Sequence, residues 1–136
     1  MAECLFCKII SGEIPGAKLY ETDKIYAFLD INPVNRGHAL VVPKEHYETL
    51  LDIPEPVNKE LLESVKKISS AIEKAVGADG FNIMMNNRKA AGQLIPHAHM
   101  HIVPRFVQDG LKHWPGKEYR QGQMEEVQKQ ILANIR

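Results

Sequence analysis

Between Pro96 and Pro104 every second residue is apolar: Ala98, Met100 and Ile102 alternate with His97, His99 and His101. A period of two predicts a half-buried strand, with the apolar set facing a core and the histidines on the other face. Shorter β-rich runs predict strands at Lys18–Glu21 and Ile25–Asp30, joined as a hairpin by Thr22-Asp23-Lys24, and another at Phe81–Met85. Ala39–Val42 is apolar at every position and halted by Pro43, which suits a central strand covered on both faces. From Pro54 to Val76 the period changes. Val57, Leu61, Leu62, Val65, Ile68, Ile72, Ala75 and Val76 recur at gaps of three and four and predict one long helix ending at Gly77. Cys4–Ser11 reads as a short helix with Leu5, Ile9 and Phe6 inward. Met124, Val127, Ile131 and Ile135 give a last amphipathic helix. The fold class is α+β: a mostly antiparallel sheet of about five strands on one long helix, with short flanking helices.

The histidine face asks for a chemical reason, because Val, Thr or Tyr would suit a strand better. Imidazole is a common metal ligand and also a nucleophile and proton carrier near neutral pH. The row therefore suits metal-free catalysis or a catalytic metal on His97, His99 and His101, which would take three ligands and a water. Cys4-Leu5-Phe6-Cys7 suits half a zinc site, a redox pair or two buried thiols. Spacing alone does not choose further ligands among the six histidines. Asp30 stands where the chain must turn through Asn32-Pro33, and His38 at the mouth of the central strand. In the loop before the triad, the amides of Asn86 and Gln93 are candidate donors to phosphate oxygens, and Gly92 allows close backbone approach. Trp114 either caps the core or anchors a partner.

Composition narrows the setting. At 136 residues the chain is read as one domain, 1–136. Seventeen basic and seventeen acidic residues balance without a one-sided patch, which argues against nucleic-acid binding. No apolar run approaches about 18 residues and no charged-then-apolar leader is visible, so neither a membrane span nor a secretory signal is expected. The expected compartment is the cytoplasm, whose reducing conditions argue against a Cys4–Cys7 structural disulfide.

Several blocks in order carry a family resemblance: Phe6-Cys7-Lys8-Ile9-Ile10, Glu13-Ile14-Pro15, Ala27-Phe28-Leu29-Asp30-Ile31, Gly37-His38-Ala39-Leu40-Val41-Val42-Pro43-Lys44, and Asn86-Asn87 through Ala91-Gly92-Gln93 to His97–Val103. Together they resemble the histidine triad family, in the branch of nucleotide-binding, phosphoramidase-like hydrolases with an N-terminal Cys-x-x-Cys zinc site. The resemblance implies His99 as nucleophile, attacking the α-phosphate of a nucleoside phosphoramidate or dinucleoside polyphosphate. A nucleotidyl-histidine forms and is hydrolysed to a nucleoside monophosphate. It implies His101 and His38 as the other active-site histidines. Asp30 would bind the ribose, Phe6 and Ile31 would flank a purine base, and Asn86, Gly92 and Gln93 would contact phosphate. One structural zinc would sit on Cys4, Cys7, His46 and His97, with no cofactor in the chemical step, and two chains would pair as a homodimer across the long helix and neighbouring strands. The alternative is a nucleotide-binding interaction protein with vestigial catalysis. Arg88 stands where many members have glycine, and Leu94 where some have a phosphate-facing serine.

Overall fold

The computed structural model describes residues 3–135. Its elements are α1 (Leu5–Ile10), β1 (Lys18–Glu21), β2 (Ile25–Leu29), β3 (Ala39–Pro43), α2 (Glu55–Val76), β4 (Gly80–Met84), β5 (Met100–Arg105) and α3 (Gln123–Asn134). The five strands form one antiparallel sheet in the order β1-β2-β3-β5-β4. This is the α+β class expected from the periodicities.

Strand parity divides the core in two. Ile25, Ala27, Ala39, Val41, Ala98 and Ile102 face α2, which answers with Leu61, Val65, Ile68 and Ile72. Each such valine, leucine or isoleucine side chain contributes about 1.5–3 kcal/mol on burial, and each alanine less. The alternate residues, Tyr26, Phe28, Leu40 and Val42, pack on the other face against Cys4, Phe6 and Ile9 of the α1 region. β3 is thus covered on both sides, as its unbroken apolar run requires.

Three sequence expectations need correction. Leu5 is 40% exposed, because a helix of six residues has room for only Phe6 and Ile9 on its inner face. Leu62 is 60% exposed, one position beyond the Leu61–Val65–Ile68–Ile72 stripe. Trp114 is 92% exposed and does not cap the core.

Gly37 places the functional end of β3. Its φ of 91° is left-handed, and a Cβ there would lie 3.1 Å from Val76 Cγ1 and 3.3 Å from Pro104 Cγ. Only glycine lets the chain pass that closely and deliver His38 into the sheet.

Candidate active site and metal centre

β5 begins at Met100, so His97, Ala98 and His99 lie ahead of the strand rather than within it. Ala98 is anchored by its N–H donating to Tyr47 O at 2.7 Å, and its methyl still faces α2. Released from ladder geometry, His97 turns away from the other two histidines. Its Nδ1 lies 3.3 Å from Cys4 Sγ and 3.6 Å from Cys7 Sγ. The three triad histidines therefore do not converge as one ligand set. Among the described residues, the groups whose ligand atoms all lie within 4.8 Å are Cys4–Cys7–His46–His97 and Asp30–His38–His101.

Hydrogen bonds assign the ring protons. His99 Nδ1 lies 2.7 Å from His97 O, so Nδ1–H donates there and Nε2 keeps its lone pair. His38 Nδ1 accepts the Val34 N–H at 3.0 Å, which puts the ring proton of neutral His38 on Nε2. That proton is donated to His101 Nδ1 at 2.9 Å, leaving His101 with its own proton on Nε2. Asp30 reaches the same cluster because β2 and β3 end together, with Asp30 N–H donating to His38 O. Its Oδ2 lies 3.6 Å from His38 Nε2, and its Oδ1 accepts the Asn32 N–H in the expected turn.

Burial holds these rings neutral. Desolvation lowers His101 to about 4, assisted by neighbouring His99 and His38 and opposed by Asp30. The same cause lowers His99 and His38, again with Asp30 opposing. A lowered value keeps the imidazole unprotonated, and so nucleophilic, below the usual histidine range.

His99 and His101 open into a cleft of 770 Å³. Leu5, Phe6 and Ile9 of α1 form one wall, Asp30 and Ile31 another, and Asn86, Gly92, Leu94 and Ile95 the lip. Phe6 is buried with its ring edge-on to His99 at 4.9 Å between centroids, whereas Ile31 is 91% exposed at the rim. Gln93 behaves differently from Asn86. It is buried away from the cleft lining, and its amide donates to Glu48 O at 2.6 Å and Ile95 O at 3.2 Å. The structure thus directs both of its N–H donors inward, not to a phosphate.

The second cluster fits a metal ion. His97 Nε2 donates to Pro43 O at 2.8 Å, which frees Nδ1 as a ligand. Cys7 Sγ also lies 3.5 Å from His46 Nδ1. Tetrahedral zinc with bonds of about 2.3 Å to sulfur and about 2.05 Å to nitrogen has sulfur–nitrogen edges of about 3.6 Å. The separations of 3.3, 3.5 and 3.6 Å match that polyhedron. Burial and neighbouring Cys4 push the Cys7 thiol up to about 11, whereas a bound cation favours the thiolate.

A family model described as the HIT domain matches residues 11–108, which contain every residue of the cleft except those of α1. This chain belongs to the histidine triad family. It is 42% identical to the adenosine 5'-monophosphoramidase HNT1 of Saccharomyces cerevisiae, over 98% of this chain and 84% of that one. It is 48% identical to the adenylylsulfatase HINT3 of Arabidopsis thaliana, over 87% of this chain and 59% of that longer protein. Among solved histidine triad structures, one from Bacillus subtilis superposes with a TM-score of 0.91 at 37% identity, covering 98% of each chain. A Zn-bound member from Mycobacterium smegmatis gives 0.78 at 33%, covering 97% of each.

Sequence reasoning missed the backbone half of this histidine triad site. The carbonyls of Pro43, Tyr47, Glu48 and His97 and the Val34 amide position the side chains, and no residue identity announces a carbonyl's direction. Asn87, whose Oδ1 accepts the Leu50 N–H at 2.7 Å, was visible only as Asn86's neighbour.

Proposed function

We propose that residues 1–136 act as one histidine triad domain that hydrolyses purine nucleotides at the α-phosphate. Nucleoside phosphoramidates and dinucleoside polyphosphates are the substrate classes. The observation that carries this reading is the tautomer of His99: a buried imidazole with Nδ1–H tied to His97 O and Nε2 bare beside the cleft. In the first step His99 Nε2 attacks the α-phosphorus, and the bond to the amine or distal phosphate breaks. His101 Nε2–H, aligned by His38 donating to its Nδ1, stabilises the charge on a phosphoryl oxygen, and an amine leaving group takes its proton from solvent water. Water then attacks the nucleotidyl-histidine, releases the nucleoside monophosphate and restores His99. Asp30 accepts the ribose hydroxyls, Phe6 and Ile31 flank the base, and Asn86 and Gly92 approach the phosphate from the lip. Names among the relatives support hydrolysis of nucleotide derivatives: two are an adenosine 5'-monophosphoramidase and an adenylylsulfatase.

The metal in this reading is one zinc on Cys4, Cys7, His46 and His97. When bound it cross-links the two ends of the site, its four protein ligands leaving no position for a catalytic water. The remaining expectations, a cytoplasmic homodimer without nucleic-acid or membrane partners, belong to the same proposal. No helix among the described residues is long and apolar enough to cross a membrane.

The test is covalent trapping. Acid-labile label from an α-labelled substrate should map by mass spectrometry to His99. His99→Ala should bind nucleoside monophosphate yet form no adduct, with turnover reduced at least about 10⁴-fold, as for loss of other covalent nucleophiles. An adduct on His97 or His101 would assign the chemistry to another ring.

A further inference from the structure

The loop between β4 and β5 holds an arrangement that this mechanism does not use. Arg88 is the one non-glycine residue with positive φ among the described residues, at φ 78° and ψ 159°. That region of backbone space is close to glycine-only. Its N–H donates to Gln93 Oε1 at 2.7 Å, while its carbonyl accepts from Ala91 N–H at 3.1 Å and Gln93 N–H at 3.2 Å. The Gln93 side chain spends its two amide hydrogens on Glu48 O and Ile95 O, so none remains for a substrate oxygen. Asn87 adds a second tie through Leu50 N–H. The segment that receives these bonds also supplies Pro43 O to His97 and Tyr47 O to Ala98. One stretch of chain therefore aligns both the triad and the lip.

We infer that Gln93 is a positioning residue. It clamps Arg88 in a strained backbone conformation, and thereby holds the lip at the distance where Asn86 and Gly92 meet the α-phosphate. This rests on the nucleotide reading of the cleft. Gln93 touches no reacting atom and acts through Arg88 and its neighbours on either side. The clamp also explains how arginine stands where many family members have glycine: three hydrogen bonds to its own peptide groups over-determine the turn.

Gln93→Met fills the volume but makes none of the three side-chain bonds. Gln93→Glu keeps the acceptor for Arg88 N–H while turning a carboxylate oxygen towards two carbonyls. Both should raise amide hydrogen exchange over residues 88–95 at least about tenfold, with α2 unchanged. At saturating phosphoramidate, kcat should fall about 10- to 100-fold while KM changes by less than about threefold. Adding Arg88→Gly to Gln93→Met should recover about tenfold of kcat and slow exchange again, because glycine holds that φ unaided. A direct phosphate contact gives the opposite pattern. AMP affinity would fall with loop exchange unchanged, and Arg88→Gly would rescue nothing; that result overturns the clamp. Should wild-type protein neither bind AMP nor turn over substrate, the nucleotide reading fails. Exchange and its rescue by Arg88→Gly would still decide whether Gln93 holds the loop. If Gln93→Met unfolds, absence of rescue in the thermal melt of the double variant counts against the clamp.

Discussion

Leu94 lines the cleft with 88% of its surface exposed, so it is a lip residue and not a core one. Family members with serine there have a hydroxyl able to donate to a phosphoryl oxygen or to the bridging atom as the bond breaks. A hydrogen bond to a charged group is worth roughly 1.5–3 kcal/mol. At 1.36 kcal/mol per tenfold, that is about 10- to 100-fold in rate. Leu94→Ser should therefore speed turnover of a substrate with a poor alkylamine leaving group by about that factor. A nitrophenyl ester, whose leaving group needs little protonation, should change less than about threefold. Steady-state kinetics on the pair provide the check; equal acceleration of both would place the gain in binding instead. The contrast between Asn86 and Gln93 belongs to the same scale. Both carry an amide seven residues apart in one loop, and their chemistry is the same. Only Asn86 lines the cleft, because the carbonyls of Glu48 and Ile95 capture the other.

At the level of elements, α1 depends on what surrounds it. A helix of six residues does not persist alone in water. Its anchors are Phe6, Ile9 and the two cysteines about its first turn, where Cys4 Sγ accepts the Cys7 N–H. A metal there would join α1 to His46 beyond β3 and to His97 ahead of β5, and Phe6 carries that order to His99. We predict one zinc equivalent in purified protein, lost on Cys4→Ser with Cys7→Ser. Stripping it should lower Tm by about 5–10 °C, equivalent to about 2 kcal/mol for a domain of this size. Nucleotide affinity should fall with it, since α1 is a wall of the cleft, while the pre-steady-state rate of adduct formation at saturation should move less than about threefold. Melting curves and elemental analysis decide this. An unchanged Tm after metal removal would reduce the cysteines to two packed thiols.

The whole chain exposes more surface than its mass calls for. A compact monomer of 15.4 kDa has an accessible surface of about 7,200 Å² by mass scaling. This chain exposes 9835 Å². The surplus of about 2,600 Å² per chain, about 5,200 Å² for two chains, lies at the upper end of the total area that obligate homodimers bury. Part of it lies on β4, an edge strand with Phe81, Ile83 and Met84 partly exposed, and on Leu62 of α2. α3 buries none of its described side chains and leaves Met124, Ile131 and Leu132 bare. We predict a dimer of twice the 15.4 kDa chain mass by light scattering. Ile83→Lys, which sets a charge on the partly exposed edge strand, should raise the dimer Kd at least about 100-fold by burying an unpaired cation. A wild-type mass of one chain at micromolar concentration would overturn the pairing.

The sequence by itself determined what depends on periodicity and on residue chemistry. Pattern placed four strands to within a residue or two and started the histidine strand three residues early, gaps of three and four placed α2, and apolar parity sent Ala98, Met100 and Ile102 towards the helix. Histidines, cysteines, Asp30 and Asn86 were legible because few other side chains supply ligands, nucleophiles or anion contacts. Periodicity could not say which histidine meets which partner; the family resemblance put His46 and His97 with the thiols, and only the tertiary structure shows how they get there. His97 and His99 share a parity, yet one faces thiols and the other the cleft, since β5 starts only at Met100 and a chain outside the ladder is free to rotate. The tautomers of His38, His99 and His101 and the fate of Gln93 were likewise settled by Val34, His97, Glu48 and Ile95 through their peptide groups. Every residue carries the same N–H and C=O except proline, so their direction is a property of the folded path and leaves no trace in the order of side chains.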